Sequence, residues 1–331
     1  MATMRAMVIR DFGGPEVFEE TELPIPEAGE GQVRLKVVAT SYNPIESKIR
    51  AGLARLGPDF PAVLNSDVSG VIDQVGPGVV DFAVGDKVFA CSGGIKGGQG
   101  ALAEYTVVDV RLLAKAPESL DLADCAAIPI GFITSWYALC RKAKVQEGQR
   151  VLVLGGTGGV GNIGVQLARA LGAEVYATVS SDEKARLVRE LGAVEAIDRR
   201  VESPEEYVAN HTDGKGFDLV FDTAGGPALD HAFVSARHEG DVVTINARAN
   251  HDLTPAHSRG QSLHIVMMLA SMLKGVDLEH YGEILSEAAR LADEGKLRPL
   301  LDTQRFSVWD VADAHRYAAS GAPVGKILLT N

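Results

Sequence analysis

Four apolar residues, Val151-Leu152-Val153-Leu154, run without a spacer into Gly155-Gly156-Thr157-Gly158-Gly159-Val160-Gly161, and no other feature constrains the fold as tightly. A short β-branched run of this kind reads as a buried strand, and Gly156, Gly158 and Gly161 satisfy GxGxxG. Val165, Leu167, Ala168 and Leu171 then fall on one apolar face, which predicts a helix over 161–171. Glycine clusters often do no more than turn a chain; a strand before and a helix after give this one a further meaning. The first glycine makes the turn, the second lets backbone approach a pyrophosphate, and the third lets helix and sheet pack closely. With helix N–H groups and dipole aimed at the phosphates, residues Gly156, Thr157, Gly158, Gly159, Val160 and Gly161 predict a dinucleotide-binding loop.

The next strand, Glu174–Val179, bears on which dinucleotide is bound. Sites that select a ribose 2′-hydroxyl carry an Asp or Glu about 20 residues beyond the loop. Here the strand ends in Val179-Ser180-Ser181, and Asp182 falls in the first turn of the following helix, where it reads as a cap. Ser180, Ser181 and Lys184, with Arg199 or Arg200 after the third strand, form a candidate 2′-phosphate set, so NADPH is expected in preference to NADH. An ordinary solvated surface is the competing reading of those basic residues.

At 331 residues the chain exceeds one ordinary core, and its pattern changes along its length. Short strand-like runs at 4–9, 32–39, 69–75, 87–90 and 101–108 are separated by Gly, Pro and Asp turns, as in a barrel or rolled sheet. Leu122–Ile128 and Thr134–Ala143 read as helices separated by Pro129 and Gly131. From Arg150 strands and helices alternate, the pattern of βαβ crossovers and a doubly wound parallel sheet. A long helix at 281–295, a helix at 311–320 and a strand at 326–329 complete the reading. The run Ile265–Leu273 is expected to be buried helix or strand.

A formal charge of −12 argues against nucleic acid or anionic membrane as partner. Cys91, Cys125 and Cys140 are far apart in sequence and make no disulfide framework. The N-terminal residues lack an apolar run, and no stretch is long enough to span a bilayer. The cytoplasm is therefore the expected compartment, where the sequon at Asn210 is inert.

Further segments carry a resemblance. Tyr42-Asn43-Pro44-Ile45-Glu46-Ser47-Lys48-Ile49-Arg50-Ala51-Gly52 is similar to an N-P-x-[DE]-x-K-x-R-x-G stretch. Asp67–Ile72, Val84–Val88, Gly100–Tyr105, Ala127-Ile128-Pro129 with Thr134-Ser135-Trp136, Gly295–Pro299 and Gly325-Lys326-Ile327 follow in order. In this order they resemble the medium-chain dehydrogenase/reductase superfamily, in its zinc-free quinone oxidoreductase (zeta-crystallin-like) branch, over nearly the whole length. The resemblance implies an α/β protein: a GroES-like β-rich domain from residues 1–120 and 296–331, and a Rossmann domain from 121–295. Cofactor and substrate are expected in the cleft between the two.

All eight histidines follow residue 210, and Cys91 is the only cysteine before residue 120. A catalytic zinc needs about three Cys, His or carboxylate ligands. Where zinc-dependent relatives place a cysteine, a Gly-His-Glu and a second cysteine, this chain has Asn43, Asn65-Ser66-Asp67 and Ile130. No zinc is expected. Without that Lewis acid, conjugated acceptors are favoured, because hydride added to them gives a delocalised anion. The expected activity is NADPH-dependent reduction of quinones or α,β-unsaturated carbonyls. Enoyl-thioester reduction, or a non-catalytic NADPH-binding role of crystallin or sensor type, are the alternatives.

The resemblance places Asn43 near the nicotinamide ribose and Lys48 near the ribose hydroxyls or the substrate anion, although an exposed ammonium is the plain reading of Lys48. Tyr42 reads either as a proton donor or as a tyrosine packed in the β core. Asp67 is expected to orient its neighbours. Thr134 is expected to face the nicotinamide, or else to bond its own helix backbone. Asn246 and Lys326 are further cofactor candidates. The loop 93–100 reads as a flexible hairpin that flanks the substrate mouth at most, and a homodimer is expected from the resemblance.

Overall fold

The computed structural model describes residues 2–96 and 98–331; Gly97, within the loop 93–100, and Met1 lie outside the described residues. The chain divides into two compact units, residues 1–130 with 269–331, and residues 131–268. Residues 121–130 and 269–295 belong to the first unit, where the apolar face of the long helix Glu279–Asp293 buries Tyr281, Ile284, Leu285 and Ala288.

The first unit contains β1 (Thr3–Ile9), β2 (Phe18–Pro24), β3 (Gln32–Ser41), β4 (Asp67–Val75), β5 (Lys87–Cys91), β6 (Tyr105–Asp109) and β7 (Leu113–Lys115). The second contributes β8 (Arg150–Leu154), β9 (Glu174–Val179), β10 (Glu195–Asp198), β11 (Phe217–Asp222), β12 (Ala236–Thr244) and β13 (Ser262–Ile265); β14 (Leu301–Ser307) and β15 (Lys326–Thr330) return to the first. The helices are α1 (Pro44–Arg50), α2 (Leu122–Cys125), α3 (Pro129–Trp136), α4 (Gly161–Ala170), α5 (Asp182–Glu190), α6 (Pro204–Thr212), α7 (Pro227–Ser235), α8 (Thr254–Ser258), α9 (Leu269–Lys274), α10 (Glu279–Asp293) and α11 (Val311–Ala319).

In the first unit β1 and β2 pair with each other, and the large sheet runs β14-β15-β3-β4-β5-β7 with β6 also on β3. Strand β3 alternates in burial, with Val33, Leu35, Val37 and Ala39 inside, as a half-covered antiparallel strand should. Its far end matters most. Antiparallel pairing of Ser41 with Leu328 carries the register on to Asn43 opposite Lys326, and the N–H of Tyr42 donates to the carbonyl of Ile327 at 3.0 Å. A strand from late in the chain thereby delivers a lysine to the start of α1.

The second unit is a parallel sheet in the order β10-β9-β8-β11-β12-β13. Strand order reverses between β8 and β11, so the carboxyl ends of those two strands form the crevice in which such sheets bind ligands. Val151, Leu152 and Val153 are completely buried, as a strand covered on both faces requires.

Several boundaries differ from the sequence reading. Pro129 and Gly131 do not separate two helices; Pro129 opens α3, because proline suits the first helical turn, and residues 137–142 continue as a π-helical turn. Residues 101–104 lie outside β6 and join β1 through an Ala6–Ala103 bridge. Residues 126–128 lie beyond α2. The run Ile265–Leu273 is not buried throughout: Ile265, at the end of the edge strand β13, and Met267 just beyond it are exposed. No described helix is long and apolar enough to cross a membrane.

Candidate functional site

The glycine loop lies at the carboxyl end of β8. The left-handed turn falls on Gly155 (φ +82°), one residue before the motif's first glycine. Gly156 is needed for a different reason: a Cβ there would lie 2.7 Å from Cβ of Ala177 and 3.1 Å from Cγ1 of Val188. At Gly161 a Cβ would approach the carbonyl oxygen of Gly155 to 2.1 Å. Gly158 is unlike both, since a Cβ there meets only that same oxygen, at 3.3 Å, and otherwise open space. Its backbone is thus left bare toward open space, as a pyrophosphate cradle would require.

Neighbouring side chains hold the loop. Nδ2 of Asn162 donates to the carbonyls of Gly158 (2.8 Å) and Gly159 (3.0 Å), and the hydroxyl of Ser135 donates to that of Val160 (3.4 Å). The hydroxyl of Thr223, just past β11, donates to the carbonyl of Leu154 at 2.6 Å and spans the switch point. Asp222 accepts from the N–H groups of Ala224 and Gly225 and from the hydroxyl of Thr244, and so shapes the next loop. Asn246 lies against that loop, with Nδ2 only 2.6 Å from where a Gly225 side chain would begin. Thr134 is buried on α3. Asn162, Ser135, Thr223 and Asp222 were not singled out from sequence; the adjacency of Asn162 to the motif was the one available signal.

At the tip of β9, Ser180, Ser181 and Lys184 come together. Oγ of Ser181 accepts the backbone N–H of Lys184 at 3.2 Å as the cap of α5, and Nζ of Lys184 lies 3.5 Å from Oγ of Ser180. The backbone N–H of Arg199 donates to the carbonyl of Val179, which brings Arg199 to the same strand end. Arg200 is engaged differently: its guanidinium grips Asp198, and that bond holds the carboxyl near 2.

In the first unit the residues of segment 42–48 separate into two groups. Asn43, Asp67 and Lys326 are joined in one buried cluster. Oδ2 of Asp67 accepts from Oγ of Ser41 (2.7 Å), Nδ2 of Asn43 (2.9 Å) and Nζ of Lys326 (2.9 Å); Oδ1 accepts the N–H of Ile130 (2.8 Å). The same ammonium donates to Oδ1 of Asn43 (2.6 Å) and to the carbonyl of Tyr42 (3.1 Å). Glu46, which carries no site assignment from its sequence context alone, completes the group. Its carboxyl accepts from the backbone N–H of Asn43 (2.5 Å), from Nδ2 of Asn43 (3.2 Å) and from the N–H of Ser66 (3.2 Å). Burial raises its pKa to about 7, against the opposing pull of Asn43 and Lys326. Cys91 pairs directly with Asp67 across β5 and β4, and burial keeps its thiol protonated.

Tyr42 and Lys48 stand apart from that cluster. The hydroxyl of Tyr42 is 3.0 Å from Oγ of Ser47, itself 3.0 Å from Nδ1 of His315, and Nη1 of Arg50 lies 3.2 Å from the same nitrogen. Arginine only donates, so Nδ1 is an acceptor. Ser47 must then donate to it, and Tyr42 donates to Ser47. The phenolic proton therefore points inward, and burial raises the pKa of the phenol. Lys48 is half-buried on α1.

Residues 29–118 match the alcohol dehydrogenase GroES-like domain, and residues 191–329 match the family described as zinc-binding dehydrogenase. The quinone oxidoreductase of Homo sapiens is 31% identical over 328 residues, covering 98% of this chain and 97% of that protein. An NADPH-dependent alkenal/one oxidoreductase of the Arabidopsis thaliana chloroplast is 34% identical over 334 residues, covering 98% and 79%. A crystal structure of an alcohol dehydrogenase superfamily protein from Novosphingobium aromaticivorans superposes with a TM-score of 0.95 at 39% identity, both chains being covered completely.

The residues present do not fit the zinc named in one of those descriptions. Asn43, Asp67 and Ile130 do converge, but Ile130 offers only a backbone N–H and an ammonium is bonded to the other two. Among the described residues no group of three or more His, Cys, Asp or Glu side chains is arranged to hold a metal ion. The matches to both halves of the fold, and to relatives along nearly its full length, place this chain in the medium-chain dehydrogenase/reductase superfamily, in its quinone oxidoreductase branch.

Proposed function

We propose that this protein is a metal-independent, NADPH-dependent reductase of quinones or α,β-unsaturated carbonyls. The observation that carries the reading is a pairing of features: an intact dinucleotide loop, and a buried ammonium where a metal-dependent relative would need open ligands. The names of the human and Arabidopsis relatives support this substrate class, and the second supports NADPH.

The bound nicotinamide supplies the hydride. The chain supplies binding and orientation. Backbone around Gly158 and the first turn of α4 face the phosphates. Ser180 and Lys184 hold the 2′-phosphate, with Arg199 near them, while Asp198 occupies Arg200. Thr134 and Asn246 serve the nicotinamide half, and Lys48, half-buried on α1, is assigned to an acceptor's developing charge. Asn43 and Asp67 form the orienting frame beneath the start of α1. Tyr42, with its proton committed inward, fits the packed-tyrosine reading.

Strand β13 ends the parallel sheet with Leu263 and Ile265 exposed, as is Met267 just beyond it, and we assign its open edge to pairing with a second copy of the chain. None of the three cysteines is in a disulfide, which suits the cytoplasm.

The test is oxidation of NADPH and NADH against quinones, enones and enoyl thioesters with chelator present. Turnover of a quinone or enone with NADPH supports the assignment. Binding without turnover across the panel would move the protein to a sensor or structural role, and turnover confined to thioesters would reassign the substrate.

A further inference from the structure

We propose that Lys326 is the resident cation of this site: its ammonium takes the place of a metal charge, with Asn43, Asp67 and the Tyr42 carbonyl as its ligands. An ammonium has three donors, and three acceptors meet it at 2.6, 2.9 and 3.1 Å. None is left for a cofactor or substrate, so Lys326 is a positioning residue that acts through Asn43 and Asp67. Lys326 is 3% exposed and Asp67 0%, so neither charge is solvated and each depends on the other.

The geometry around the pair is that of a coordination centre whose ligands have been rebuilt around a lysine. Asp67 binds Asn43 and Ile130, the residues that stand where metal-dependent relatives carry ligands. It also faces Cys91 across the sheet. Two carboxylates, Glu46 and Asp67, share the pocket with one ammonium. A divalent ion seeking these oxygens would have to displace a tethered cation bonded to three of the atoms it needs. The register of β15 on β3 delivers that cation as part of folding.

This inference rests on the metal-independent reading above, but it is tested without any substrate, so failure of the quinone or enone assignment would leave it standing. Asp67→Asn, Lys326→Met and the double variant are compared by thermal unfolding. Each single substitution removes one member of the buried Asp67–Lys326 pair and lowers the midpoint by on the order of 5–10 °C. The double variant, with neither charge, recovers more than half of the summed loss. Additive losses would overturn the pairing, as would a Lys326→Met variant as stable as the parent.

If Lys326→Met alone fails to fold while the double variant folds, the proposal is supported. The metal arm uses the unmodified protein: after chelator dialysis it is titrated with Zn²⁺, and with Co²⁺ for its ligand-field absorption. No uptake is expected. One equivalent bound, with a stabilisation that Asp67→Asn abolishes, would overturn the proposal whatever the variants do.

Discussion

Oγ of Ser47 lies 3.0 Å from Nδ1 of His315, tying α1 to α11 across 268 residues of sequence. The imidazole is packed between the rings of Phe18 and Tyr42, at 4.9 and 5.0 Å between centroids. Burial, with the charge of Arg50 beside it, lowers its pKa to about 3. The histidine is therefore neutral when folded and titrates near 6.5 when unfolded, so its contribution is complete above that value and is lost as pH falls below it. His315→Leu should destabilise by about 1–3 kcal/mol at pH 7.5, because Ser47 and Arg50 lose an acceptor. The gap to the parent should narrow at pH 5, as read by urea unfolding at both values. A gap that widens on acidification would contradict the neutral assignment.

Glu46 has the opposite sign. Its folded pKa, about 7, lies above the ordinary 4.5, so the folded state holds a proton that the unfolded state releases between those values. Its contribution is complete below 4.5 and is lost as pH rises through 7, a difference of about 3 kcal/mol. Between pH 4.5 and 6.5 it opposes His315. Glu46→Gln should remove this loss, so that the variant's stability falls less than the parent's from pH 5 to 8.

The glycine loop allows stability and binding to be separated. Gly161→Ala drives a methyl into the carbonyl of Gly155 and should lower the unfolding midpoint by several degrees. Gly158→Ala should leave the midpoint almost unchanged and weaken NADPH binding about tenfold or more, since its methyl enters the space left for the phosphates. Calorimetric titration beside thermal unfolding reads both. Equal loss of stability in the two variants would refute the cradle at Gly158.

Lys184→Ala should raise the KM for NADPH about tenfold while that for NADH moves less than twofold, because only the former carries the 2′-phosphate. Tyr42→Phe should keep kcat within about tenfold, in accord with a proton donated inward to Ser47. A far larger drop would return Tyr42 to the role of proton donor.

What the sequence disclosed follows the range of the forces involved. The β8–loop–α4 junction is written in consecutive residues, because a tight turn and a strand-to-helix switch are local requirements. Strands β2 and β14 escaped notice because Phe18–Pro24 and Leu301–Ser307 are mostly polar and only partly covered. Helix α6 has a local signal, since Ser203 and Glu206 form a capping box around Pro204, but no clear apolar stripe follows it. Asn43, Asp67 and Lys326 were each named, but their convergence was not legible, since the register of β15 on β3 is settled only by folding. Glu46 and His315 owe their altered acidity to burial, a property of the assembled unit.

Strand β15 also fixes an order of events during synthesis. The ribosome releases residues 131–268, a unit with its own sheet, before it translates Lys326. Through that interval Asp67 and Glu46 have no lysine between them, and the last strand to pair with β3 is missing. The nascent polypeptide thus carries a finished parallel-sheet unit while the other unit still lacks the lysine that pairs with Asp67. A ribosome stalled before residue 326 would hold β3 without β15, a species with the kind of unpaired strand edge that makes intermediates prone to aggregate.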